Sequence, residues 1–167
     1  MLVRKISLAK WSHSDWGAEI PADAVTGDLR TTDNALSFWS VEAPSRAELE
    51  VVVLALASAA ERLDKMDLSW VDPETLRSRG VRVEASDGRT PVDRLRKRHF
   101  DVARLDLGRL GLVAQLMSAS VAANQHQRWT RKEVLRVLVA AVLRGELDPA
   151  QLAAPVRSEV LAIAEAG

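Results

Sequence analysis

Seven consecutive apolar residues, Val51 to Ala57, follow a helix-start signal at Ser45, and few folds can accommodate that combination. Ser45-Arg46-Ala47-Glu48 has the spacing of a capping box, in which the Ser side chain accepts from the amide three residues on and the Glu reaches back. Pro44 disfavours helix at Ala43, so the start is sharply placed. A helix apolar on every side belongs inside a protein. The three valines Val51 to Val53 also suit a buried strand. The cap and the Ala content that follows favour helix. Glu61 to Lys65 is a polar stop. Met66, Leu68 and Trp70 then alternate with Asp67 and Ser69, which reads as a strand with one buried face. Ser45 to Val71 is therefore expected to be a core helix feeding a core strand. Each large side chain so buried stabilises the fold by about 1.5–3 kcal/mol.

That core is within reach of a chain of 167 residues, 47% of them hydrophobic. The length suits a single α+β domain over 1–167, with possible lobes 1–88, containing the sheet, and 89–167, helical. The absence of Cys excludes disulfides, thiolate metal sites and Cys nucleophiles. It suits a reducing, cytoplasmic setting. Met1 to Lys10 does not read as a secretion signal, and no apolar run approaches the roughly 20 residues of a membrane span. Arginine far outnumbers lysine and Ala and Val are abundant, a composition that points to a bacterial source. Net charge is zero but unevenly spread: −6 over residues 1–74, +5 over 75–104 and +1 over 105–167. Such asymmetry can mark an anionic partner, or two ends that face each other.

Strands are expected at Leu2–Leu8, at Ala35–Val41 and, as a short edge, at Val81–Glu84. In the second of these Leu36 and Phe38 face one way, Ser37 and Trp39 the other. Asp72-Pro73 opens a short helix that Gly80 ends. From Thr90 the texture is helical: a start at Thr90 to Asp93, then a helix near Leu105 to Ala123. Thr130-Arg131-Lys132-Glu133 is a second capping box, with Trp129 and Val134 placed as a hydrophobic staple. That helix is expected to stop at Gly145. A last helix, interrupted near Pro155, finishes the chain. The expected architecture is a small mixed sheet of about three to four strands in the N-terminal half, packed by a C-terminal helical layer.

Chemistry is sparsely signalled. There is no Gly-rich phosphate loop, no nucleophile elbow and no His pair on one helix face. His13 and Asp15 supply two potential metal ligands but spacing nominates no third, so neither metal nor cofactor is expected. Trp11, His13, Asp15 and Trp16, with Arg30 and Trp39, are the best pocket candidate. Indole offers a stacking face, imidazole titrates near neutrality and Arg binds anions, a set that suits a nucleotide-like ligand. The alternative is that the Trp side chains simply pack the core. Arg94, Arg96, Lys97 and Arg98 are four cations in five residues that could hold phosphates. Asp93 and Asp101 dilute them, and the neutral chain lacks the net basic character of a nucleic-acid protein. The leading expectation is thus a non-enzymatic protein-interaction or accessory module of a bacterial cytoplasm. Homo-oligomerisation through the helix Thr130 to Arg144 belongs to that reading. A nucleotide-like ligand at Trp11/His13/Arg30 and nucleic acid at Arg94 to Arg98 stand behind it.

Overall fold

A computed structural model describes residues 1–11 and 19–165. Its centre is one six-stranded sheet in the order β4-β5-β2-β1-β3-β6, with every neighbouring pair antiparallel. The strands are β1 (Leu2–Ile6), β2 (Leu36–Ser40), β3 (Met66–Val71), β4 (Arg82–Ala85), β5 (His99–Ala103) and β6 (His126–Trp129). Among the described residues the helices are α1 (Leu8–Trp11), α2 (Ala22–Asp28), α3 (Arg46–Ser58), α4 (Pro73–Ser78), α5 (Asp93–Arg96), α6 (Leu107–Ala122), α7 (Arg131–Leu143) and α8 (Ala154–Ala164).

The α+β class matches the sequence reading, but the sheet is antiparallel rather than mixed, has six strands rather than three to four, and is covered by helices on both faces. On one face Val3, Trp39, Leu68, Met66 and Trp129 pack with α3, α7 and α8. On the other, Leu2, Ile6, Leu36, Phe38, Val71 and Val102 pack with α1, α2, α4 and α6. β5 and β6 lie in the stretch read as wholly helical. Each is short, at five and four residues, and each is flanked by helix signals that mask its alternation. Strands from both 1–88 and 89–167 therefore hydrogen-bond within one sheet. The Asp87–Pro91 segment between them is packed rather than loose: Ser58 Oγ and Thr90 Oγ1 meet in the interior at 3.0 Å.

The Val51–Ala57 run is indeed helical, with Val52, Val53, Leu54, Ala55 and Ala57 all buried. Only half of the Ser45 box forms. Ser45 Oγ accepts from the Glu48 amide at 3.3 Å, while the Glu48 carboxylate is taken by Arg98 at 2.9 Å. At Thr130 both halves are present. Gly145 ends the last turn after α7 with φ +70°, in the region Gly enters without a Cβ penalty. Pro155 opens α8 rather than interrupting it, because the first turn has no use for its missing amide.

β3 differs from expectation in a way that matters. It is buried on both faces, not one. Asp67 and Ser69, read as solvent-facing, are 4% and 0% exposed. Both are satisfied internally. Asp67 accepts from Arg128 Nε at 2.7 Å and from the Leu8 amide at 3.1 Å. Ser69 donates to the Gln125 carbonyl at 2.9 Å. Buried polar groups are tolerated when each hydrogen bond is made.

Candidate functional site

The sheet face under α3 is only partly roofed. On β2 and β5 the register pairs Ser37 with Asp101 and Trp39 with His99, so these four side chains share a face. Trp39 and His99 are buried, whereas Ser37 and Asp101 reach solvent. The sheet also parts here. β1 and β2 pair only at Leu2↔Ser40 and Val3↔Trp39. The next residue, Arg4, spans the opening with its guanidinium. Nη1 donates to the Ser37 carbonyl at 2.7 Å, and Nε and Nη2 donate to the Asp28 carbonyl at 3.0 and 2.6 Å. Burial lowers the Arg4 pKa to about 10 against the opposing pull of the Asp28 charge, so it remains a cation at neutral pH.

The opening is a polar cleft of about 570 Å³, with Arg4, Ser37, Trp39, His99 and Asp101 on its walls and Arg30 and Arg89 at its rim. Asp33 and Asp87 also border it, so both signs of charge are present. Among the described residues Arg30 and Arg89 have no carboxylate partner, whereas Asp87 is engaged by Lys97 at 2.8 Å. His99 is held in place by its neighbours. Its Nδ1 lies 2.7 Å from Ser86 Oγ, and its ring meets Trp39 edge-on with centroids 5.2 Å apart. Burial lowers its pKa, opposed by the Asp101 charge, which favours the neutral ring. Gly88 closes this corner. A Cβ there would fall 2.4 Å from Trp39 Cη2, so no larger residue fits without displacing the indole.

Of the residues grouped from sequence, the structure brings two together. Arg30 and Trp39 line one cleft. Trp11 lies on the opposite side of the sheet, 7% exposed, its Nε1 donating to Asp28 Oδ2 at 2.8 Å. Asp28 Oδ2 also accepts from the Ser7 amide at 2.6 Å, so this carboxylate ties together β1, α1 and α2. His13, Asp15 and Trp16 lie outside the described residues. Sequence reasoning missed Arg4, Ser37, Arg89, His99 and Asp101 as cleft residues. The signal was the alternation His99-Phe100-Asp101-Val102, a strand period obscured by the basic run just before it.

That basic run is locally neutralised. Arg94 pairs with Glu146 at 2.6 Å, Arg96 with Asp93 at 3.2 Å, Lys97 with Asp87 and Arg98 with Glu48. Each pair is at the surface and contributes only about 0–1 kcal/mol. Together, however, they occupy the cations a phosphate would need.

A third feature lies where α7 meets α8. Leu135, Leu138 and Val139 of α7 are buried within the chain, so most of the stripe expected to join two copies is core. Leu143 stays 67% exposed, and Ile163 of α8 stays 47% exposed. Between α7 and α8 runs an apolar groove of about 260 Å³, lined by Leu135, Val139, Leu143 and Ile163 with Lys132 and Arg136 along its rim.

Among the described residues no group of three or more His, Asp or Glu side chains is placed to hold a metal ion, and no helix is long and apolar enough to cross a membrane. No protein-family model matches the chain, and neither a curated protein nor a solved structure matches it.

Proposed function

We propose that this protein is a non-enzymatic protein-interaction or accessory module whose contact surface is the α7–α8 face. One observation carries the reading. Of the three large hydrophobic side chains exposed among the described residues, Leu143 and Ile163 flank the same groove. Scattered exposed apolar residues are ordinary, but paired ones beside an apolar groove suit a binding site. The cysteine-free, arginine-rich composition fits a partner in a reducing bacterial cytoplasm. Affinity capture from the native host is expected to retain a partner on the parent chain and to lose it on the double variant Leu143→Asp, Ile163→Asp. Equal retention by both chains would exclude this face, and no retained protein would exclude the reading.

A second reading is favoured by the convergence of Arg30 and Trp39 on the polar cleft: a small nucleotide-like ligand. Arg30 and Arg89 would hold its anionic part, and His99 and Asp101 its hydrogen-bonding edge. A ligand at 100 times its Kd stabilises the native state by about 2.7 kcal/mol. A thermal-shift panel of nucleotides and dinucleotides is therefore expected to raise the Tm of the parent but not of an Arg30→Ala, Arg89→Ala variant. A flat panel removes this reading. Nucleic acid at Arg94 to Arg98 is not carried further, because each of those cations already faces a carboxylate.

A further inference from the structure

We propose that the α7–α8 groove receives an amphipathic helix whose apolar stripe is flanked by Asp or Glu side chains. This rests on the interaction reading above and names the occupant of that face. Three observations carry it.

The first is shape. Leu135, Val139 and Leu143 stand four residues apart in one row along α7: the first two, 8% and 9% exposed, form the floor, and Leu143 and Ile163 of α8 stand exposed beside it. The row spans eight residues, or roughly 12 Å, about two helical turns. It matches the anchors a helix presents at i, i+4 and i+7. Ala140, also on the lining, leaves room for close approach.

The second is hydrogen bonding. α7 and α8 satisfy their own backbones, so the groove offers an occupant side chains and no main-chain ladder. A segment entering an apolar groove must therefore meet its own backbone needs, which a helix does and an extended strand does not. The sheet edges at β4 and β6 offer ladder groups instead, and they lie elsewhere.

The third is charge. Among the described residues, the polar ones lining the groove are Lys132 and Arg136, one turn apart. Neither has a carboxylate partner among the described residues. Of the acids nearby, two are committed and one is averted, while Glu50 borders the neighbouring opening on the other side of Arg136. Glu133 caps Thr130 and pairs with Arg46, and Glu159 pairs with Arg131. Glu165 is two positions after Ile163, roughly 200° around the helix and away from the groove. A cationic rim around an apolar floor selects against basic partners as well as for acidic ones. It also disfavours a second copy, which would bring a second Lys132 and Arg136 to the same surface.

The test uses two fluorescent synthetic peptides of about 20 residues, long enough to form helix on the groove. Both carry Leu at i, i+3, i+4 and i+7; one has Glu flanks and the other Lys flanks. Anisotropy titration is expected to show saturable binding of the Glu peptide, at least about tenfold tighter than the Lys peptide. Added salt should narrow the difference. Leu143→Asp with Ile163→Asp should abolish binding. Lys132→Glu with Arg136→Glu should reverse the preference between the peptides. All four positions are at the surface or rim, and circular dichroism checks that each variant is folded. Three results would overturn the proposal: no binding of either peptide, equal binding of both, or a dimer in light scattering that Leu143→Asp dissolves. Host capture that depends on Leu143 and Ile163, combined with equal binding of the two peptides, refutes the acidic helix alone. Absence of both capture and peptide binding refutes the interaction reading with it.

Discussion

Leu68→Ala is expected to lower the unfolding free energy by about 2–5 kcal/mol in urea titration, with the upper half of that range the better expectation. Leu68 is wholly buried on β3 against α3 and α7. The spread in such substitutions reflects how well the surroundings collapse into the space left behind. Here collapse is expected to be poor. The partners flanking Leu68 across the sheet are Lys5 and Gln127. Neither can fill an apolar hole without burying a polar end. The matching truncation at the surface, Leu143→Ala, should change stability by no more than about 0.5 kcal/mol. A loss below 1 kcal/mol at Leu68 would show that the α3 layer is not tightly packed on the sheet.

The residue next to it gives a different kind of loss. Asp67→Ala should destabilise by roughly 2–3 kcal/mol at neutral pH, because the Leu8 amide loses its acceptor and a charge-assisted pair is broken. The figure lies below that for a fully buried pair because Arg128 is half exposed and can be solvated once freed. The loss should depend on pH. Burial on its own would raise the Asp67 carboxyl. The hydrogen bonds from Arg128 and Leu8, with the charges of Arg128 and Lys65, outweigh it and hold the group below its ordinary value. A carboxyl lowered by folding stabilises the native state above the unfolded-state pKa, and that contribution is lost as pH falls through the folded value. The gap between parent and variant should therefore be level from about pH 5 to 8 and shrink below about pH 4. A gap that persists undiminished into acid would assign the loss to packing.

These two neighbours also show what the sequence can and cannot reveal. Leu68 was legible as core because apolar residues alternate around it. Asp67 was read as outward-facing for the same reason, although its face is buried too. Its partner Arg128 is sixty-one positions away, and no local pattern reports a bond of that span. Local signals were reliable where the physics is local. The caps at Asp72 and Thr130 and the glycine stop at Gly145 stand where their side chains and backbone freedom place them. The strands His99–Ala103 and His126–Trp129 were hidden because both are short and lie between strong helix signals. The cleft was half visible. Arg30 and Trp39 drew notice as residue types, whereas Arg4, His99 and Asp101 gain meaning only from the β2–β5 register and the parting of β1 from β2. Trp11 has the same chemistry as Trp39, yet it lies across the sheet from it.

The interleaved strand order has a consequence for how the chain is made. β5 inserts between β4 and β2, two strands that leave the ribosome earlier. Until His99–Ala103 emerges, Leu36–Trp39 has one edge unpaired and Arg82–Ala85 has no strand neighbour, and such open ladders invite pairing between nascent chains. During synthesis the growing polypeptide therefore carries adhesive edges that only its later residues can close, the β3 edge that receives β6 among them.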